Sequence, residues 1–411
     1  MSLCYNYEAV EKVVTLKIYL DTKDYIRIAE GILGNKDRTE DYEGYKTLLG
    51  LVKSDQIKIY FSWCHFYEAL KYKGQNRKFL ETYCDVIDSL TQGNCIIWPQ
   101  ELDKRELEIF FAESFNFTSS ISRTSYPYGK DVDAIIDGGF QDLESPLKLI
   151  IGSINNLPIP LGKKFNYIRA LQDPMQRKKI LKDALPNTMM EAIKKDFPNF
   201  EGKCSKKTLL DIFDGSEPQV KERFFNFFRT TFTFKNILLC YQNKFPRMKQ
   251  LSSFWDADEA YLIQLIKDCQ TIHSETGVSP IKKREITEIY MMKIVNSLEG
   301  EISTLSTKYG FDASKAKDLL IKDGLKSVLN RYVAILSFTG YLQRNKGANT
   351  HGSRFPRGSD LRDIFHSIAI PYVDYYVTDR FFVSIAKKYA DVFNTRVLPN
   401  IQQLKEIIIR R

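Results

Sequence analysis

Lys17-Ile-Tyr-Leu-Asp21-Thr22 is the stretch of sequence from which the fold can be worked out. It is a short apolar run that ends in an acid, and it predicts a strand over 14–20 followed by a helix over 24–31. A second apolar run at 57–61 precedes Ser62, a suitable N-cap for a helix extending to about residue 73. Short apolar runs that alternate with helical periodicity are typical of a parallel sheet with helices on its faces. We therefore expect an α/β fold.

The alternation continues to a predicted third strand at 95–99, stops, and returns near the end of the chain. Residues 375–378 and 396–399 have the pattern of strands, and 360–369, 381–389 and 402–409 have that of helices. Between the two ends the periodicity is helical, including 219–243 and 256–269. The sequence thus predicts one three-layer α/β domain built from residues 1–100 and 344–411, with a large all-helical insertion over 101–343.

Composition limits the class of protein. The chain has 411 residues, 43% hydrophobic and 27% charged, which fits an ordinary globular protein with two lobes. No apolar run reaches the ~18 residues of a membrane span, and residues 1–20 lack a signal-peptide core. The seven cysteines are scattered, which favours reduced thiols and a cytoplasmic location over disulfides or a zinc site. With four histidines, a histidine-built metal centre is not expected.

The positive charge is concentrated in one part of the chain. The net charge is +9, and residues 160–250 hold 19 Lys and Arg against 9 Asp and Glu, a surplus that accounts for the whole imbalance. A basic, aromatic-rich segment attracts phosphates, so nucleic acid is an expected partner. The alternative is a solvated helical surface that carries excess lysine.

Four acids fall at strand ends or helix starts of this predicted sheet: Asp21, Glu68, Asp363 and Asp379. Although 295 positions separate Glu68 from Asp363, a parallel sheet gathers its ligand site at the carboxyl ends of its strands. Carboxylates in such a place suit a hard cation such as Mg²⁺ or Mn²⁺. For each acid taken alone, the competing interpretation is a helix cap, a first-turn acid or an exposed helix position.

In these segments the chain resembles the PIN-domain nucleases. The resemblance is carried by Tyr19-Leu-Asp21-Thr22, by Ser62 with Glu68, by Asp363-x-x-His366 and by Tyr376-Val-Thr378-Asp379. It covers the two ends of the chain and not the middle. It implies a parallel α/β domain that binds one or two Mg²⁺ or Mn²⁺ ions and cuts RNA, sometimes DNA. The implied metal ligands are Asp21, Glu68, Asp363 and Asp379, supported by Thr22, Ser62, His366 and Thr378.

The expected function is therefore that of a metal-dependent nuclease, a hydrolase acting on RNA in preference to DNA through metal-activated water. The family also allows a homodimer, an inhibitory protein partner, and a role as a toxin or defence protein. A basic loop is expected to guide the nucleic acid through Arg344, Lys346, Arg354 and Arg357, unless that loop has no partner.

A non-enzymatic alternative remains open. Lys23 stands where the family usually has Asn or Ser, and Arg380 stands where its last acid usually lies. Either cation is able to occupy a metal position. The chain would then be a catalytically degenerate PIN-like module that binds RNA or protein.

Overall fold

Segments from the two ends of the chain form one four-stranded parallel sheet, in the order β2-β1-β5-β6. The computed structural model describes residues 15–71, 76–121, 126–130, 133, 151, 155, 159–183, 206–212, 214, 216, 218–220, 222–223, 226–227, 233–238, 260, 263–264, 280–344 and 358–410. The strands are β1 (Leu16–Leu20), β2 (Ile57–Tyr60), β3 (Asn94–Ile96), β4 (Tyr128–Lys130), β5 (Tyr375–Val377) and β6 (Arg396–Leu398). The remaining pair, β3 and β4, forms a small antiparallel sheet.

Most of the described chain is helical. The helices are α1 (Thr22–Ile32), α2 (Thr39–Lys53), α3 (Trp63–Lys71), α4 (Arg77–Thr91), α5 (Pro99–Phe115), α6 (Leu161–Gln172), α7 (Pro174–Asp183), α8 (Lys206–Ile212), α9 (Pro280–Ser297), α10 (Glu299–Tyr309), α11 (Ala313–Asp323), α12 (Leu329–Arg344), α13 (Gly358–Ser367), α14 (Arg380–Ala390) and α15 (Ile401–Ile409). Short 3₁₀ turns occupy Lys36–Arg38, Ile370–Tyr372 and Asp391–Phe393. Within the described residues, no helix is both long enough and apolar enough to cross a membrane.

Both faces of the sheet are buried, because successive strand side chains point to opposite faces. Ile18 and Leu20 of β1 belong to one apolar cluster, which is covered by α1, α2, α4 and α15. Tyr19, between them, belongs to a second cluster on the opposite face. The neighbouring strands follow the same alternation, so the fold has helix, sheet and helix layers. The predicted α/β class with a parallel sheet is confirmed.

Helices from the middle of the chain build much of the second layer. Buried side chains of α9, α10, α11 and α12 share the apolar cluster of Tyr19, and α12 packs against α13 and α14. The described part of the predicted insertion therefore shares an apolar cluster with the sheet. The division at residues 101 and 343 stays a prediction.

The third strand differs from the prediction in extent and pairing. It was expected at 95–99, but β3 ends at Ile96 and Pro99 begins α5, since proline suits the first helical turn. A bridge between Phe61 and Cys95 connects it to the end of β2, while its ladder is made with β4. The helices predicted over 219–243 and 256–269 lie largely outside the described residues.

Close packing of α12 on α14 gives a stability prediction. A Cβ added at Gly340 would lie 2.7 Å from Cγ2 of the buried Ile385, whereas a Cβ on the exposed Gly50 of α2 would meet nothing within 4 Å. We expect Gly340→Ala to lower the free energy of unfolding by about 1–3 kcal/mol. The matched variant Gly50→Ala should raise it by up to about 1 kcal/mol, since alanine favours the helix. Urea unfolding measures both, and equal effects would contradict this packing.

Candidate functional site

Three polar residues stand side by side where the central strands end. Asp21, Ser62 and Thr378 follow β1, β2 and β5, and each comes two residues after a strand tyrosine of the second apolar cluster. Because side chains alternate along a strand, all three face the same side of the sheet. The Asp21 backbone N–H donates to the Val377 carbonyl oxygen at 3.1 Å, which locks β1 against β5 at this point. The strand ends thus form one polar edge.

The Asp21 carboxylate does not cap its own helix. Asp21 occupies the N-cap position of α1 with an extended backbone, yet its side chain accepts no hydrogen bond from that helix. Its Oδ2 accepts instead from the Thr378 hydroxyl at 3.3 Å. Burial raises the pKa of Asp21, although the charges of His366 and Lys23 act in the opposite direction. A buried carboxylate that serves no cap is available for a ligand.

His366 of α13 lies at the centre of the site and is 1% exposed. Its Nε2 is 3.2 Å from Glu68 Oε2, 3.3 Å from the Thr22 hydroxyl and 3.9 Å from Asp21 Oδ1. Burial alone would lower the pKa of His366, but the hydrogen bond to Glu68 and the charges of Glu68 and Asp21 outweigh it and raise the pKa. The ring thus lies between two carboxylates, which favour its imidazolium form.

Glu68 of α3 is the partner of this imidazolium. Burial would raise the pKa of Glu68, but hydrogen bonds from His366 and Thr22, with the charge of Arg362, lower it to about 2. Arg362 Nη1 lies 3.3 Å from Glu68 Oε1. The two carboxylate oxygens of Glu68 are therefore shared between two cations of α13.

A buried hydroxyl network fixes the imidazole ring. The Tyr19 hydroxyl lies 2.7 Å from His366 Nδ1 and 2.6 Å from Ser62 Oγ. Next to it, His65 Nδ1 accepts the Ser62 N–H at 3.0 Å, so its Nε2–H donates to the Leu20 carbonyl oxygen at 2.8 Å. Burial, followed by the charge of His366, lowers the pKa of His65 to about 3. The pKa values of the two neighbouring histidines thus shift in opposite directions, upward for His366 and downward for His65.

Asp363 and Asp379 act on residues of the site through their charge. Asp379 caps α14 by accepting the Phe382 N–H at 2.6 Å, and its charge helps to raise the pKa of Asp21. A helix was predicted over 360–369 with Asp363 near its start, but α13 begins at Gly358 and places Asp363 in its second turn. Burial is the largest cause of the raised pKa of the Tyr376 hydroxyl, and the charges of Asp21 and Asp363 raise it further. Asp21 and Glu68 thus meet at His366, whereas the other two acids act on neighbouring groups through their charge.

Three of the four residues predicted to support the acids contact them, whereas Ser62 contacts Tyr19. Thr22, Thr378 and His366 contact Asp21 or Glu68 as described above, and Ser62 Oγ also accepts the Cys64 N–H at 3.3 Å, near the start of α3. Of the predicted nucleic-acid contacts, Arg344 ends α12. Lys346, Arg354 and Arg357 lie outside the described residues, so the role of that loop stays a prediction.

Two contributors were not predicted as site residues, although the sequence carries a signal for each. Tyr19 has the same strand parity as Asp21, and a hydroxyl in an otherwise apolar strand indicates a buried polar partner. Arg362 precedes His366 by four residues, so both lie on one face of α13 and reach Glu68.

The three comparisons, with family models, with curated proteins and with solved structures, give no match to this chain.

The donor set suits a divalent cation, although the side chains are not arranged around one. In the described part of the chain, no group of three or more His, Cys, Asp and Glu side chains is placed to hold a metal ion. Asp21 and Glu68 close on the same imidazole nitrogen instead. Carboxylate and hydroxyl oxygens are nevertheless the donors that Mg²⁺ and Mn²⁺ prefer. An ion bound by both acids would replace the charge that His366 now supplies.

The charged pair of Glu68 and His366 predicts a coupling that depends on pH. The pKa of Glu68 lies below its ordinary value of 4.5 and that of His366 above its ordinary value of 6.5. The ion pair therefore contributes most to stability between pH 4.5 and pH 6.5. Its contribution falls as pH drops toward about 2 or rises past the pKa of His366 in the folded state. A double-mutant cycle with Glu68→Gln and His366→Gln should give about 1–3 kcal/mol between those two values. A coupling free energy that does not change with pH would contradict the ion pair.

Proposed function

We propose that the chain is a PIN-like, metal-dependent nuclease that hydrolyses phosphodiester bonds, with RNA as its main substrate. The observation that carries the proposal is the Asp21 carboxylate. It is buried at the carboxyl edge of a parallel sheet, does not cap its helix, and lies 3.9 Å from the imidazole nitrogen that Glu68 also contacts. Ligand sites of parallel sheets lie at this edge. We place the protein in the cytoplasm, where its buried Cys64, Cys84 and Cys95 thiols stay reduced.

In this proposal Asp21 and Glu68 hold a Mg²⁺ or Mn²⁺ ion, with Asp363 and Asp379 nearby as further ligands. The ion would supply Lewis-acid stabilisation and a water of lowered pKa. Thr378 orients Asp21 through its hydroxyl, and Tyr19 holds the ring of His366. These contacts keep the acids in place before any ligand arrives.

His366 acts as a charge substitute within this arrangement. Two buried carboxylates a few ångströms apart repel each other, and burying them without a compensating charge is costly. The imidazolium offsets that cost in the absence of a divalent ion. Because Tyr19, Ser62 and His366 are all buried, we assign them to positioning and not to contact with nucleic acid.

The same pair of contacts favours a second candidate function. His366 and Arg362 together neutralise Glu68 without any metal. A PIN-like module that has lost catalysis and binds RNA or protein would need such internal compensation permanently. The two candidates differ in one respect, the response of the protein to divalent cations.

Manganese titration separates them. We expect Mn²⁺ at ten to a hundred times its dissociation constant to stabilise the protein by about 1–3 kcal/mol, measured as a rise in Tm. Asp21→Asn should abolish this gain, since it removes a ligand. Asp55→Asn is the matched control, because that side chain is 78% exposed and distant from the site.

Cleavage of a fluorescent single-stranded RNA in Mn²⁺ provides the accompanying activity test. The wild type and Asp55→Asn should cut it, and Asp21→Asn should be inactive. A protein that neither gains stability from Mn²⁺ nor cuts RNA or DNA would contradict the nuclease proposal and support the binding module.

A further inference from the structure

Two cations lie beside the cluster of Asp21, Glu68 and His366, which we call the acid pocket. They approach it from different elements of the fold. Lys23 follows Asp21 in the first turn of α1, is half-buried, and places its Nζ 3.5 Å from the Pro399 carbonyl oxygen, just beyond β6. Arg362 comes from α13, is 32% exposed, and contacts Glu68 of α3, the helix that follows β2. In the sheet order, β2 and β6 are the two outer strands. Lys23 therefore reaches toward the end of β6, whereas Arg362 contacts the helix that follows β2.

The charges of these cations are felt inside the pocket. Lys23 acts against the rise in the pKa of Asp21, and Arg362 helps to lower the pKa of Glu68. Both groups are more exposed than the acids they influence. A strand of nucleic acid that approaches the pocket therefore meets the two cations before it meets the carboxylates.

The acids at this edge of the sheet repel a polyanion such as nucleic acid. Asp21, Glu68 and Asp379 present negative charge, which repels the phosphates of a substrate. Contacts between basic side chains and phosphates supply most of the sequence-independent affinity for nucleic acid. A productive site therefore needs cations at its border. Lys23 and Arg362 have that placement.

Their present contacts are ones that a phosphate is able to replace. The Lys23 ammonium is at the outer limit of hydrogen-bond distance from a neutral carbonyl oxygen. Arg362 has a planar guanidinium that suits bidentate phosphate binding, and its 3.3 Å contact with Glu68 leaves the side chain 32% exposed.

We propose that Lys23 and Arg362 bind two backbone phosphates of single-stranded nucleic acid beside the acid pocket. This assignment deepens the proposed nuclease function and rests on it for the class of substrate. It gives Lys23 a role in binding, where its departure from the family pattern otherwise suggests a lost metal position. The competing role is internal: the two cations would merely neutralise Asp21 and Glu68.

Salt-dependent binding distinguishes the two roles. The full-length protein is titrated onto a fluorescent single-stranded oligoribonucleotide in EDTA, which prevents cleavage, and the anisotropy is followed at several salt concentrations. Lys23→Ala and Arg362→Ala should each reduce the slope of log K against log salt by about 0.7, and should weaken binding about fivefold at 0.1 M salt. Lys23→Gln and Arg362→Lys serve as milder variants in case an alanine variant does not fold.

Lys46→Ala and Arg284→Ala are matched controls, since each removes the same charge from an exposed position on a helix away from the pocket. The proposal is overturned if the Lys23 and Arg362 variants have the slopes of these controls, or if the wild type does not bind. Purely internal neutralisation would leave the slope unchanged. The Mn²⁺ titration remains independent: if it fails while the slopes fall as expected, the nuclease proposal is wrong and the phosphate contacts stand.

Discussion

The parallel pairing of β1 between β2 and β5 is the constraint on which the site depends. It sets Leu20 beside Val377 and Tyr19 beside both Tyr60 and Tyr376. The residues that follow these positions therefore end at one edge and face one side. A shift of the register by one residue would turn Asp21 toward the opposite face. Residues from the two ends of the chain meet because this pairing sets the ends of β1, β2 and β5 side by side.

The second requirement is electrostatic. The buried acids Asp21 and Glu68 are stable together because His366 lies between them, and the ring of His366 is in turn held by Tyr19. A buried charge is costly unless it is paired, so the contacts of His366 with both carboxylates offset part of that cost. The pocket is therefore prepared for positive charge, whether that charge comes from a histidine or from a metal ion.

Local patterns predicted the parts of the fold that depend on local chemistry. The strands β1, β2 and β5 and the acids after β1 and β5 follow from apolar runs stopped by polar residues. Asp379 shows the limit of this reasoning, because the same position serves as a helix cap and only coordinates reveal that it accepts the Phe382 N–H. Asp21 also occupies an N-cap position, but its side chain accepts no hydrogen bond from α1. Helical periodicity likewise could not show that α9 to α12 cover the sheet, since periodicity locates an apolar face but not its partner.

A crystal soaked in Mn²⁺ tests the central claim most directly. We expect an anomalous difference peak between the carboxylates of Asp21 and Glu68, with His366 Nε2 moved away from at least one of them. A well-ordered crystal in which no peak lies near Asp21, and in which His366 keeps both contacts at high Mn²⁺ concentration, would contradict it.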